Sequence, residues 1–121
     1  MESVGLGTGQ LNIKIQIGSV WTKDFYFRSY NSLTGYTDDN LDGATFSLFL
    51  KRFKGDRIKT YTLTLGSGIS FITYVSNGIR VTSSVSQNSI EEGEYYWELR
   101  RTDLDLAKIS GHAYLTYEAQ Q

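Results

Sequence analysis

The chain has 121 residues, of which 40% are hydrophobic and 21% are charged, and its formal net charge is −1. A chain of this size and balance is predicted to fold as one globular domain, and its near-zero charge creates no field that would attract nucleic acid or an anionic membrane. Because the sequence contains no cysteine, disulfides, thiolate nucleophiles and zinc–thiolate sites are excluded.

The sequence shows no targeting or membrane-spanning pattern. Its uninterrupted apolar runs are only a few residues long, far below the roughly 20 residues needed to cross a bilayer as a helix. The opening MESVGLGTGQ lacks the basic start and apolar core of a signal peptide. We therefore expect no membrane association and no secretion by that route.

The first strands follow a short N-terminal segment. Residues 1–10 are rich in glycine and are predicted to form a flexible arm. LNIKIQI (11–17) alternates between apolar and polar residues, which is typical of a half-buried antiparallel strand. WTKDFYF (21–27) predicts a second strand. The stretch 29–43 is dense in turn-forming residues and is predicted to be a long loop.

Three further strands are predicted in the middle of the chain. GATFSLFLKRF (43–53) alternates, with Phe49 on its polar face, and is followed by IKTYTLTL (58–65) and ISFITYV (69–75). The turn between the first two, KGDR (54–57), is strongly charged.

A hairpin signal lies between residues 69–75 and IRVTS (79–83). The pair Asn77-Gly78 stands between two alternating apolar runs. This pair favours a type I′ turn, in which both central residues have positive φ.

The last two strands are predicted over GEYYWELR (93–100) and AKISGHAYLTYE (107–118). Only the stretch 83–92 could hold a helical turn, with Ser84 or Ser86 as its cap.

About eight short strands, turns built from glycine, asparagine and aspartate, and no substantial helix predict an all-β fold. The expected architecture is an Ig-like or jelly-roll antiparallel β-sandwich over residues 11–118. Gly43 and Gly93 stand at the beginnings of strands, where a turn can require positive φ. The sequence leaves the strand order open.

The stretch EEGEYYWELRR (91–101) raises the question of paired catalytic carboxylates. In a strand, Glu94 and Glu98 share the outer face, but their Cα atoms lie roughly 13 Å apart, whereas glycosidase carboxylates lie about 5–9.5 Å apart. We therefore expect a structural strand with Trp97 in the core and no enzymatic activity. A small hydrolase that uses Glu94 or Glu98 is the disfavoured alternative.

Four other features of the sequence are candidates for a site. His112, the only histidine, is expected on an exposed strand face, because a catalytic histidine needs a nucleophile and an orienting acid. GLGTG (5–9) lacks the Lys-Ser/Thr of a phosphate-binding loop. TDDNLD (37–42) lacks the order of an EF-hand, which leaves an opportunistic calcium site as an alternative. KRFKGDRIK (51–59) holds five basic residues and predicts a solvated hairpin tip, with docking on an acidic neighbour as the alternative. No catalytic residue, cofactor site or metal ligand is predicted.

Short motifs occur in a fixed order between residues 11 and 118. They are Ile15-Gln16-Ile17-Gly18, Asp24-Phe25-Tyr26-Phe27, Leu41-Asp42-Gly43-Ala44-Thr45, Gly78-Ile79-Arg80-Val81, Gly93 to Leu99, and Ile109 to Ala113. In this order the chain resembles the Ig-like N-terminal domain family of bacteriophage upper baseplate proteins and related small phage virion β-sandwich proteins.

The resemblance implies a non-enzymatic structural role in a phage particle. Such a protein would be a tail, baseplate or neck assembly or adaptor module that binds other virion proteins and forms a homo-oligomer or ring. Its location would be the virion, after assembly in the host cytoplasm. Baseplate proteins of that family usually continue past this domain, whereas this sequence stops at Gln121, so a connector component, an adaptor and a capsid decoration protein remain alternatives.

A second function class is a carbohydrate-binding or adhesin module for attachment to a host surface. It is based on aromatic residues expected at the surface, such as Tyr26, Tyr96 and Tyr114, since sugar binding uses an aromatic platform with neighbouring acids or amides.

Partner contacts are expected at the edge strand 11–17, the loop 29–43 and the basic tip 51–59. The residues predicted to form the partner interface are Leu11, Ile13, Tyr26, Tyr30, Tyr36, Lys51, Arg52, Lys54 and Tyr96.

Overall fold

The computed structural model describes residues 2–4 and 9–117 of the chain. The regular structure of these residues consists of eleven β-strands and contains no helix. For residues 2–4, 9, 30, 31 and 106–108 only the backbone is described. The strands are β1 (Glu2–Val4), β2 (Gly9–Gln10), β3 (Ile13–Gln16), β4 (Trp21–Asn31), β5 (Gly35–Asp38), β6 (Phe46–Lys51), β7 (Lys59–Leu65), β8 (Gly68–Phe71), β9 (Gly78–Ser83), β10 (Gly93–Arg101) and β11 (Leu106–Thr116). The predicted all-β class is confirmed, and β1, β2 and β5 are additions to the predicted strands.

The strands form one curled, mixed sheet. Its order is β1-β4-β9-β8-β7-β6-β10-β11-β2, with β3 beside β11 and β5 beside β4. Strands β2 and β3 run parallel to β11, and β1 runs parallel to β4. The antiparallel pairing predicted for residues 11–17 is therefore wrong. Alternating polarity reports that one face of a strand is buried, and it does not reveal the direction of the neighbouring strand.

The described part of the predicted N-terminal arm lies against the sheet. The backbone of Glu2–Val4 pairs with Phe25–Phe27 of β4, and Gly9–Gln10 pairs with Ile109–Ser110 of β11. Positions 1 and 5–8, which include most of the GLGTG motif, lie outside the described residues. The N-terminal segment thus supplies β1 and β2, the strands at the two ends of the strand order given above.

The core lies inside the curl of the sheet. The rings of Phe25 in β4 and Trp97 in β10 are 6.1 Å apart between centroids, and those of Phe27 and Phe46 are 5.3 Å apart. These contacts join β4 to β10 and to β6, and neither of these two strands is a neighbour of β4 in the sheet. The predicted core position of Trp97 is confirmed, since its side chain is fully buried.

The stretch 29–43 is not the long loop that the sequence predicts. Strand β4 continues to Asn31 and forms a hairpin with β5. The Asp39 N–H also donates to the Phe27 carbonyl at 3.0 Å. The turn-forming residues therefore mark the hairpin tip and the segment after β5, while the residues between them pair as strands.

The type I′ turn predicted at Asn77-Gly78 is also wrong, because neither residue has positive φ. Strands β8 and β9 do pair as a hairpin, but β8 ends at Phe71 and a longer connection follows. The Asn77 amide donates to the Phe27 carbonyl at 3.0 Å. A Cβ on Gly78 would lie 2.9 Å from the Ile72 side chain. Asn77 is thus used for its side-chain hydrogen bond, and Gly78 for the close packing that the absence of a side chain allows.

The expected positive φ at Gly43 and Gly93 is confirmed, at 78° and 149°.

The stretch 83–92 holds a turn capped by Ser84. The Ser84 N–H donates to Gln87 Oε1 at 2.8 Å, and the Gln87 N–H donates to Ser84 Oγ at 3.2 Å. This reciprocal pairing is the geometry of a capping box, here closing a turn.

The hydroxyl of Tyr61 connects β7 to this turn, where it donates to Asn88 Oδ1 at 3.2 Å. Burial raises the pKa of Tyr61 above its ordinary value. The folded state therefore retains this proton when the unfolded chain loses it, so stability from Tyr61 is full below about pH 10 and falls as pH rises through the folded pKa.

We expect Tyr61→Phe to lower the free energy of unfolding by about 1 kcal/mol at neutral pH, because one hydrogen bond is lost. The deficit relative to the wild-type protein should shrink between about pH 9 and about pH 11, as the wild-type protein loses its advantage. Urea unfolding across that range measures the difference, with Tyr117→Phe at an exposed position as the control. A deficit that stays constant with pH would contradict the assignment.

Candidate functional site

A cleft of about 250 Å³ lies where four segments of the chain meet. The segments are the stretch before β3, the tip between β6 and β7, the start of β10 and the middle of β11. The lining residues are Gln10, Asn12, Arg52, Phe53, Lys54, Glu94, Tyr95, Tyr96, Ser110, Gly111 and His112. The cleft is therefore built from parts of the sequence that lie far apart, from Gln10 to His112.

Two cations from the hairpin tip line the cleft. The guanidinium carbon of Arg52 lies over the Tyr95 ring, 4.7 Å from its centroid, and Lys54 Nζ lies 5.9 Å from the centroid of the Tyr96 ring. A Cβ on Gly93 would lie 2.7 Å from Arg52 Nη1, so the bare glycine leaves room for the guanidinium. Among the described residues, neither cation forms an ion pair with a carboxylate.

An acid and the histidine form a pair at the same cleft. His112 Nδ1 lies 2.8 Å from Glu94 Oε2, and each side chain is about half exposed. Glu94 and His112 lie on the neighbouring antiparallel strands β10 and β11, where His112 stands opposite Tyr96. The His112 N–H donates to Asn12 Oδ1 at 3.1 Å, which joins β11 to the segment before β3. The predicted exposed strand position of His112 is confirmed.

The second carboxylate of β10 has different partners. Glu98 accepts a hydrogen bond from the Tyr96 hydroxyl at 3.0 Å and pairs with Arg100 at 2.7 Å. Burial raises the pKa of Tyr96, and the hydrogen bond to Glu98 adds to the increase. Tyr96 is therefore a neutral donor well above physiological pH. Glu94 and Glu98 each serve a separate pair instead of facing one another.

Three residues predicted for the partner interface meet in the cleft, namely Arg52, Lys54 and Tyr96. Lys51 lies beside it, with Nζ 4.9 Å from the centroid of the Phe49 ring. Phe49 is buried although the sequence places it on the polar face. Lys51, Lys59 and Tyr96 pack around its ring from neighbouring positions, and alternation along one strand cannot show such cover.

Two of the predicted interface side chains are largely buried. Ile13 is 7% exposed and belongs to the core, and Tyr26 is 8% exposed. Tyr26 packs over Gly78, which has no side chain to hold the ring away. Leu11 is partly buried against the core. Tyr26 is therefore not the surface aromatic that the sequence predicts.

The remaining predicted contact residues belong to the β4–β5 hairpin. Tyr36 is exposed, with the Arg28 guanidinium carbon 4.7 Å from its ring centroid. The side chain of Tyr30 lies outside the described residues. This hairpin and the cleft draw their lining from separate segments of the chain.

Sequence reasoning missed Gln10, Asn12 and Ser110 as lining residues of the cleft. Each is an ordinary polar residue of a strand or its flank, without a local signal. They meet because β2 and β3 run along β11, as the Leu11 N–H bond to the Ser110 carbonyl at 3.0 Å shows.

The acidic stretch 37–42 is used for local structure. Asn40 Oδ1 accepts from the Asp42 N–H at 3.0 Å, and Asp39 accepts from the Ser29 hydroxyl at 2.6 Å. Within residues 2–4 and 9–117, no group of three or more His, Asp or Glu side chains is placed to hold a metal ion. The same residues include no helix that is long and apolar enough to span a membrane.

No protein-family model matches this sequence, and comparison with curated proteins finds none that is similar.

Proposed function

We propose that this chain is a non-enzymatic structural module of a bacteriophage particle, acting in the tail, baseplate or neck through subunit–subunit contacts. The ordered motifs that resemble phage baseplate domains support the assignment to a phage particle. An open sheet edge supports a role in assembly. The proposal includes a homo-oligomer or ring, and an Ig-like or jelly-roll sandwich as the arrangement of the curled sheet. The contact between Phe25 and Trp97 across the curl supports that arrangement.

The outer side of β3 is the observation that carries this proposal. Among the described residues β3 pairs with β11 alone. The N–H groups of Leu11 and Ile17 donate to β11 at 3.0 and 2.8 Å, and backbone groups alternate in direction along a strand. The N–H and C=O of Lys14 therefore point away from the sheet. An extended segment of a partner can add a strand at such an edge.

Lys14→Pro tests this edge. Proline removes the outward N–H and is tolerated on edge strands, so we expect the variant to fold and to lose self-association. Lys14→Ala is the matched control, since it removes the charge and keeps the N–H. Light scattering over a concentration series should give a discrete oligomer for the wild-type chain and Lys14→Ala, and a monomer for Lys14→Pro.

Circular dichroism and thermal unfolding establish that the proline variant is folded. A wild-type monomer at every concentration would contradict self-assembly through this edge. An oligomer that persists in the folded Lys14→Pro variant would also contradict it.

A carbohydrate-binding or adhesin module is the second candidate, and the cleft favours it. The Tyr96 ring lies in one cleft with the amides of Gln10 and Asn12 and the carboxylate of Glu94. A concave site with an aromatic wall and a few converging polar groups is the usual form of a small-ligand site. Amides and carboxylates also supply the donors and acceptors that sugar hydroxyls require.

A further inference from the structure

We propose that the cleft binds a saccharide that carries a carboxylate, with Arg52 as the residue that anchors this group. The inference rests on the second candidate function, carbohydrate binding, and is independent of assembly through the β3 edge.

The charges that line the cleft leave a place for an anion. The lining holds two cationic side chains, Arg52 and Lys54, together with the carboxylate of Glu94 and the imidazole of His112. Glu94 is already paired with His112 at 2.8 Å. Arg52 and Lys54 have no carboxylate partner among the described residues. An incoming carboxylate would therefore find two cations in the lining that form no ion pair with a carboxylate of the described residues.

Arg52 is held in place before any ligand arrives. Its guanidinium lies over the Tyr95 ring, 4.7 Å from the centroid, and against the backbone of Gly93. Tyr95 is itself buried and donates its hydroxyl to the Glu91 carbonyl at 2.7 Å. A stacked guanidinium keeps N–H groups at its rim for a bidentate bond to a carboxylate. Holding it in advance reduces the entropy lost on binding.

The other lining groups favour a sugar over a simple anion. Asn12 accepts from the His112 N–H through Oδ1, which leaves its amide N–H groups as donors. Gln10 and Ser110 add further polar groups, and the Tyr96 ring adds an aromatic wall. A small inorganic anion would not use the aromatic wall. The cleft of about 250 Å³ is smaller than the roughly 300–1,000 Å³ of sites for drug-sized ligands, so it suits one sugar ring at the end of a chain.

Matched pairs of ligands test the inference. The wild-type chain, labelled with ¹⁵N, is titrated with 3′-sialyllactose and lactose, and with trigalacturonic acid and its methyl ester. We expect at least one of the two acids to bind about tenfold or more tightly than its neutral partner, since charged hydrogen bonds are lost without the carboxylate. Amide shifts should be centred on residues 94–96 and 110–112.

Arg52→Gln should remove this preference, so that each acid binds no more tightly than its neutral partner. Arg57→Gln is the matched control, because Arg57 is exposed on the same hairpin tip and does not line the cleft. It removes the same charge from the chain, so it should keep the preference. Equal loss in both variants would show that net charge, and not Arg52, determines binding.

The remaining outcomes separate the inference from the function on which it rests. Equal affinity for each acid and its neutral partner would overturn the carboxylate preference and leave carbohydrate binding intact. Absence of binding by all four saccharides would overturn both. Binding of a poly-glutamate peptide at the cleft without any saccharide binding would identify an acidic protein segment as the occupant and would also overturn the inference.

Discussion

Gly111→Ala is expected to lower the free energy of unfolding by about 3 kcal/mol or more. A Cβ at this position would overlap with the carbonyl group of Leu11, which is backbone and cannot rotate away. The same carbonyl accepts the hydrogen bond from Trp97 Nε1 at 3.0 Å. Moving it would leave the buried indole N–H without its acceptor and would separate the edge segment from β11.

Gly55→Ala is the matched control for this substitution. No atom lies within 4 Å of the position of its Cβ, and its φ is not in the left-handed region. We expect an effect within about 0.5 kcal/mol, as at ordinary surface sites. Thermal unfolding followed by circular dichroism should give a midpoint roughly 10 °C lower for Gly111→Ala and almost unchanged for Gly55→Ala. Similar midpoints for the two variants would refute the tight contact between β11 and Leu11.

Asn88→Ala is expected to be similarly destabilising, by about 3–4 kcal/mol. The Asn88 side chain is fully buried. Its amide donates to the Ser19 carbonyl at 2.8 Å and to Ser83 Oγ at 2.9 Å, and its carbonyl accepts from the Tyr61 hydroxyl at 3.2 Å. Alanine would leave the buried Ser83 hydroxyl without this partner, would remove the bonds to Ser19 and Tyr61, and would also create a cavity.

Asn40→Ala is the control for loss of an asparagine. Asn40 is exposed and makes one side-chain bond, to the Asp42 N–H, so we expect a loss of about 1 kcal/mol or less. Urea unfolding of both variants gives the comparison. A loss at Asn88 no larger than that at Asn40 would show that the buried bonds do not hold the turn to β7 and to the end of β9.

The two substitutions share a physical basis. Gly111 and Asn88 each hold a segment far away in the sequence, namely Leu11 and Ser19. The expected losses of stability come from disrupting contacts between segments that are distant in the sequence. They do not come from changes in the β-propensity of the strands. This is also why neither residue stands out when the sequence is read alone.

The sequence by itself determined which residues of each strand face the core. Tyr95, Trp97 and Leu99 are buried as their alternation with Glu94 and Glu98 predicts. Side chains of a strand alternate between its faces with a period of two, so the burial pattern is set by local geometry. For the same reason the strand over residues 93–100 could be derived without knowledge of its neighbours.

Only the tertiary structure decided how the strands are ordered, which of them run parallel, and which outward side chains are covered. Alternation places Tyr26 and Phe49 on an outer face, but Gly78 makes room for Tyr26, and Phe49 is covered by two lysines and Tyr96. The cleft depends on the same kind of contact, since the His112 N–H bond to Asn12 joins residues 100 positions apart. Strand faces follow from the chain's own geometry, whereas edges, cover and clefts follow from pairing between distant segments, which no local pattern encodes.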